Sequence, residues 1–507
     1  MKVISNTIIV YAKMALLIGI SLYTVRELLN NLGVDSYGIF TLSAGLITVF
    51  TFLNSAMSIS TQRYLSFYQG TSKLDMQNNV FVASLILHFF IAIITTFILF
   101  SIIPILFSVN GVLDIEAQFL NDAKNLYMCM IVTLFFTIVS VPFVATLFSR
   151  ENILLDSIIL ILQALLKLIA AKIICFYPAS ERLTIYGLLL IVISGLTFFF
   201  YAFYCCIHYS ECRIKKQTKS KSLFKEMSSF AGWNLYTNLC YVLNTQGLNI
   251  VLNIFLGTKI NAAYGIASQV NGQVRELSLS LLRALNPQIM KSEGMEKRER
   301  TVKLSMLASK VGFFLVSIVA IPAMYVMPKI LELWLNIVPE FTANICIFLL
   351  FSSIINQLTI GITSAIQAIG NIKRFQLIIG TTALITLPIS YFLLKLGNSI
   401  YSVLILIILI EILTGYIKLY FFAHLCNMKI KTYFVDCIFR TTVSLLVSMT
   451  LGYFFITLVG FNFFWLIPFI IMFVIYPPIF YFIGFNNHEK ISFKNIVSNI
   501  KPKLKGL

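Results

Sequence analysis

The 507-residue sequence is 59% hydrophobic, 14% aromatic and only 11% charged, with a mean hydropathy of +0.90. Soluble domains carry about 25% charged residues, so this balance excludes a water-soluble globular protein. The net charge of +18 does not point to nucleic acid, because the basic residues lie in short loops between hydrophobic runs, where they set membrane orientation.

The apolar runs are about 20 residues or longer and lack strand alternation, which selects an all-α integral membrane protein over a barrel. About fourteen transmembrane helices are predicted, at 5–30, 37–65, 80–107, 118–148, 152–177, 183–209, 227–255, 260–290, 306–332, 342–369, 376–396, 400–426, 434–459 and 463–485. Six make an N-terminal bundle over 1–209, and a basic loop covers 210–226. Six more make a C-terminal bundle over 227–426, and two extra helices with a basic tail fill 427–507. Lys13 interrupts the first run and no small-residue cleavage site follows, so this run reads as a retained membrane helix rather than a signal peptide.

Alternate loops carry Lys73, Arg150, the run ECRIKKQTKSKSLFKE at 211–226, KSEGMEKRERTVK at 291–303, Lys373, Arg374, Lys429 and Lys431. The tail on that side adds Lys490, Lys494, Lys501, Lys503 and Lys505. The opposite loops hold only Arg182 and Lys259, with Asp114 and Glu116 in the longest. This bias places both termini in the cytoplasm, in agreement with an even number of helices. Among nine cysteines there is no CxxC. Cys205, Cys206 and Cys212 lie near one helix end with His208 between them, where packing is a better reading than a metal site. No cofactor is expected.

Polar residues inside the spans carry the functional argument. In span one, Lys13 lies on a mixed face and Arg26 near the outer end, and Arg63 lies near the inner end of span two. In span five, Lys167 shares a face with Gln163 and Asp156, whereas Lys172 sits near the outer end, where snorkelling accounts for it. In span seven, Asn234, Asn238, Thr245, Asn249 and Asn253 fall on one face with Tyr241 alongside. Interhelical hydrogen bonding is the ordinary role of such a stripe and cavity lining is the functional one. In span eight, Ser268, Asn271, Arg275 and Ser278 share a face, Arg283 lies about 80° around from Arg275, and Glu276 stands ready to neutralise an arginine. A central arginine costs about 2.5–3.5 kcal/mol on insertion scales, so two on one helix call for a watery or cationic cavity. In span twelve, Glu411 has Lys418 seven residues on. That spacing gives an internal ion pair or, in the sharper reading, a coupling-ion carboxylate. Basic residues outnumber carboxylates within the spans, so the expected substrate carries a negative group such as a pyrophosphate, met by arginine forks.

The two halves echo each other. LGVDSYGIF at 32–40 is followed by STQRYLSFYQG at 60–70, and LGTKINAAYGIA at 256–267 by NPQIMKSEG at 286–294. Tyr37 to Gly70 is 33 residues and Tyr264 to Gly294 is 30, which suggests parallel repeats with a substrate site at their interface.

The stretch LNIFLGTKINAAYGIASQVNGQVRELSLSLLRALNPQIMKSEG at 252–294 resembles Wzx-type polysaccharide flippases of the MATE-like (MOP) exporter superfamily. SAIQAIGNIKRFQ at 364–376 and LGVDSYGIF are similar to that family too, and the resemblance runs to about residue 426. It implies two six-helix bundles in a V, alternating access between them, and a polyprenyl-pyrophosphate-linked oligosaccharide moved from the cytoplasmic to the outer leaflet of a bacterial inner membrane. On face and depth, the family's cationic lumen would correspond to Arg275, Arg283, Lys167 and Lys13. Many relatives have a basic residue where Tyr264 stands, so that charge is missing here. A polysaccharide polymerase and a chain-length regulator would be partners. No GxxxxGK[ST] occurs, so energy would come from an H⁺ or Na⁺ gradient or from consumption of the product. The alternative is a MATE-type antiporter for drugs or metabolites, for which cationic cargo would call for acidic cavity residues. An O-antigen polymerase or lipid-linked glycosyltransferase would bring a large external loop or a carboxylate constellation, and neither is present.

Overall fold

The structure, a computed structural model, describes residues 2–48, 50–107, 120–213, 221–335, 338–459, 466–487 and 489–490. Of the loop charges used to orient the chain, Asp114, Glu116, those at 214–220, Lys494, Lys501, Lys503 and Lys505 lie outside the described residues.

The described residues are helical with short connections and contain no strand, as a chain that must satisfy its backbone within lipid requires. They form two compact units, 2–235 and 236 onward. In chain order the helices are α1 (Lys2–Thr48), α2 (Thr51–Gly70), α3 (Leu74–Leu106), α4 (Leu120–Ser149), α5 (Ile153–Ile173) and α6 (Arg182–His208). Then come α7 (Lys221–Gly294), α8 (Arg298–Tyr325), α9 (Met327–Trp334), α10 (Thr342–Gln357), α11 (Ile360–Ile369), α12 (Lys373–Lys395) and α13 (Ile400–Cys426). The chain closes with α14 (Ile430–Tyr433), α15 (Arg440–Val459) and α16 (Ile467–Ile479).

Two of these helices are broken by a glycine. Gly33 in α1 has φ 79°, ψ 170°, and Gly257 in α7 has φ 80°, ψ 177°. That region is open essentially to glycine alone. Thirty-seven residues separate Gly33 from Gly70 at the end of α2, and the same number separate Gly257 from Gly294 at the end of α7. The turns that follow also match, with Ser72 at φ 57° and Glu296 at φ 59°. The internal repeat is therefore in register on its glycines. The tyrosine spacings of 33 and 30 residues differ because Tyr37 lies 4 residues after Gly33 and Tyr264 lies 7 after Gly257.

Among the described residues, eleven helices are long and apolar enough to span a membrane, or twelve if α10 and α11, bent by 43°, make one span. The chain is a multi-pass membrane protein. The remaining two of the fourteen expected spans are the segments after the broken glycines. One of these is interrupted near Phe50, and the other carries Gln269, Asn271, Gln273, Arg275 and Glu276. The repeated element is thus also the least apolar in each half.

In unit 2–235, α3 and α4 bury Leu99, Leu126, Tyr127 and Ile131 together. A second cluster, with Leu28, Ala171 and Tyr186, joins α1 to α5 and α6. In the later unit, one core runs through α7, α8, α10, α13, α15 and α16. The last two membrane helices are part of it: Tyr476 and Phe480 pack on Phe314 with ring centroids 5.0 and 4.7 Å away. The hydroxyl of Tyr433 donates to the Leu358 carbonyl (2.8 Å) left free at the α10–α11 break, and lies 3.0 Å from Ser309 Oγ. Lys310, fully buried, donates to both carboxylate oxygens of Glu489 at 2.9 and 2.7 Å. Asn486 and Glu489 cap one another's amides at 2.8 and 2.9 Å. This lock ties the segment after α16, at Glu489, to α8.

Candidate functional site

Charges in apolar helices are kept where they find partners or water, so the partners sort the candidates. In unit 2–235, α1 brings Lys13 against α5. Its Nζ lies 3.1 Å from Asp156 Oδ2, and the hydroxyl of Tyr201 on α6 donates to Oδ1 at 2.9 Å. All three side chains are buried. Lys13 is therefore a neutralised cation at the junction of three helices. Sequence reasoning noticed Asp156 only as a neighbour of Lys167 on one helix face. The signal that could have found the pair was the presence of two opposite intramembrane charges near the same end of their spans.

Lys167 is half-buried in the middle of α5 and has no ion pair or side-chain hydrogen bond among the described residues, and neither does Gln163. Lys172 is exposed and sits 5.1 Å from the centre of the Tyr23 ring. Arg63, expected merely near a span end, is buried over Tyr64 and Phe230, 4.5 and 4.9 Å from their ring centres. The cysteine group divides: Cys205 and Cys212 are buried, whereas Cys206 and His208 are exposed, with His208 stacked on Tyr204. No group of three metal-ligating side chains occurs among the described residues.

On α7, the polar stripe changes character along its length. Asn234 is buried and donates to the Phe230 carbonyl at 2.9 Å. Thr245 is exposed and bonds the Tyr241 carbonyl of its own helix. Asn238 and Asn249 are half-buried, Asn253 is exposed, and these three make no side-chain hydrogen bond among the described residues. The lower part of the stripe is structural, and the rest offers free amides.

Beyond the Gly257 break, the charges again separate. Arg283 pairs with Glu276 Oε1 at 2.8 Å. Arg275 is exposed and has no ion pair among the described residues. Asn271 accepts from Ser353 Oγ of α10 at 2.6 Å. Next to them, Glu411 of α13 accepts from Asn356 Nδ2 at 2.6 Å, and Thr414 Oγ1 lies 3.4 Å from the same oxygen. Lys418 Nζ stands 4.0 Å from it. The spacing-based pairing of Glu411 with Lys418 is present but stretched, and sequence reasoning did not foresee Asn356 or Ser353. These α10 partners lie 55 and 82 residues from the groups they bond, too far along the chain for helix periodicity to show. Arg275 on α7, Asn356 on α10, and Glu411 and Lys418 on α13 thus make a polar group with two cations and one carboxylate.

No protein-family profile matches the sequence, and comparison with curated proteins gives no match. Solved structures do match. An outward-facing multidrug resistance MATE family transporter of the MOP superfamily aligns at TM-score 0.73 with 14% identity, covering 84% of this chain and 95% of that one. A MOP superfamily transporter of Pyrococcus furiosus, described as having a binding pocket of reverse polarity that suggests a different function, aligns at TM-score 0.72, with 14% identity and coverage of 84% and 95%. A MATE protein in the straight conformation aligns at TM-score 0.71, with 15% identity and coverage of 84% and 96%. At this identity the likeness is one of fold. The chain has the fold of the MATE transporters of the MOP superfamily.

Proposed function

We propose that this protein is a flippase that carries polyprenyl-pyrophosphate-linked oligosaccharide from the cytoplasmic to the outer leaflet by alternating access, for surface polysaccharide synthesis. The observation that carries the reading is the pair of unneutralised cations on membrane helices of a transporter fold, Arg275 and Lys167. A pyrophosphate entering hydrocarbon needs cationic donors, and the free amides of Asn238, Asn249 and Asn253 can replace water on sugars. Lys13 and Arg283, held by Asp156 and Glu276, serve instead to shape the field. Coupling to H⁺ or Na⁺ falls to Glu411. The setting is a bacterial cytoplasmic membrane with both termini inside, and a polymerase and chain-length regulator act downstream.

The competing reading, an ion-coupled exporter of drugs or metabolites, draws on the multidrug transporter among the fold neighbours. Deleting the gene in its host separates the two. The flippase predicts cytoplasmic-leaflet accumulation of lipid-linked oligosaccharide and loss of surface glycan, restored by wild type and not by Arg275→Ala. Normal surface glycan with altered drug sensitivity establishes the exporter instead.

A further inference from the structure

Among the described residues of the later unit, the least satisfied buried charge is Lys418. It is 6% exposed, and it makes no hydrogen bond among the described residues. Its nearest carboxylate oxygen, Glu411 Oε1, is 4.0 Å away and already accepts from Asn356 at 2.6 Å. An ammonium has three donors and no acceptor, and burying one without partners is costly. The other buried lysines show the contrast: Lys310 has two bonds to Glu489, and Lys13 has one to Asp156. Lys418 therefore stands short of an acceptor. Arg275 stands one turn beyond Asn271, which bonds Ser353 of α10, and Asn356, three residues beyond Ser353, bonds Glu411, so α10 brings Arg275 to the Lys418–Glu411 pair and within its electrostatic reach. Among the described residues, Lys418 on its own helix and Tyr241 on α7 are the titratable groups in electrostatic reach of Glu411, Arg275 acts on both of these, and Asn356 on α10 is its neutral partner.

We propose that Lys418 and Arg275 form a binding site for a phosphate-type dianion, with the Glu411 carboxylate as its built-in competitor. With Glu411 ionised, the three groups carry one net positive charge, and the carboxylate occupies the field of Lys418. A proton taken from solvent onto Glu411 leaves two positive charges facing the anion, and the neutral carboxylic acid keeps its bond from Asn356. Proton and dianion then favour one another's binding, which is reciprocal by linkage. The 4.0 Å separation is what allows Glu411 to let go, since a tight bidentate pair would resist exchange. This inference rests on the anionic-substrate reading and gives that reading its coupling step.

The test is calorimetric titration of inorganic pyrophosphate into the full-length protein in zwitterionic-lipid nanodiscs, at a mildly acidic and a mildly alkaline pH. Glu411→Gln removes the competitor and keeps the amide-sized shape. It is expected to bind pyrophosphate about tenfold more tightly than wild type at the higher pH, within the usual range of coupling between linked ligands, and to approach wild type at the lower pH. Lys418→Gln is expected to abolish binding and Lys418→Arg to retain it. If Lys418→Gln does not fold, the Glu411→Gln/Lys418→Gln protein, which leaves no buried charge behind, gives the same readout. Pyrophosphate binding that is equal in wild type and Glu411→Gln at both pH values overturns the switch and leaves the anion reading standing. Absence of binding in both overturns the two together. Binding that disappears when phosphatidylglycerol, a phosphodiester monoanion, is added to the nanodiscs overturns the preference for a dianion and assigns the site to lipid headgroups.

Discussion

The two halves share a backbone frame and differ in what they place on it. Lys13 lies 20 residues before Gly33, and Thr237 lies 20 before Gly257. Asp156 stands four residues beyond the Asn152 cap of α5, and Gln376 four beyond the Ile372 cap of α12. The first half joins its two positions by a 3.1 Å ion pair, and the second joins the equivalent two by a 2.7 Å bond from the Thr237 hydroxyl to Gln376 Oε1. One contact is charged and the other neutral, at matching places in matching helices. The frame is set by glycine dihedrals and turn geometry, which tolerate almost any side chain elsewhere. Electrostatics were therefore free to diverge, and the charge in the first half is not demanded by the architecture.

The largest expected effect comes from breaking the charged member. Asp156→Asn or Lys13→Met leaves a buried partner uncompensated, at about 3–5 kcal/mol, and should sharply lower the thermal unfolding temperature of the detergent-solubilised protein. Lys13→Thr with Asp156→Gln transplants the neutral contact and should recover most of that loss. If the transplanted protein is stable but inactive, the charge serves transport. If it is stable and active, the ion pair is a packing device. Next in size, Gly33→Ala and Gly257→Ala force a side chain into a glycine-only region at about 1–3 kcal/mol each, and the two should cost alike in the same melting assay. A large inequality would break the equivalence of the halves. Thr237→Val, which removes the bond to Gln376 Oε1, should cost about 0.5–1.5 kcal/mol, clearly less than Asp156→Asn. Smallest of all, Arg275→Ala removes an exposed side chain and should move stability by no more than about 0.5 kcal/mol while abolishing complementation.

Much of the fold could be read from residue order. The long apolar runs mark the helices because a membrane imposes length and satisfaction of the backbone on each span separately. The repeat was visible in the paired LG segments, but its register was not, since φ at Gly33 and Gly257 fixes it and dihedrals leave no trace in composition. The site was legible only in part. Arg275 and Glu411 are conspicuous as charges in apolar surroundings. Asn356, which holds Glu411, and Ser353, which holds Asn271 one turn from Arg275, are ordinary polar residues on a different helix. Lys13 shows the limit most clearly, since the same residue reads as a lumen cation until Asp156, 143 residues later, is brought beside it.

The lock between Lys310 and Glu489 has a consequence for biogenesis. The partners are 179 residues apart, and at about 5–20 residues per second the carboxylate is synthesised roughly 10–35 s after the lysine. Throughout that interval the helix that will bury Lys310 must leave its ammonium in contact with water or headgroups. Burial of Lys310 against its carboxylate therefore waits on synthesis through Glu489, and a chain that ends before Glu489 keeps this ammonium without that partner.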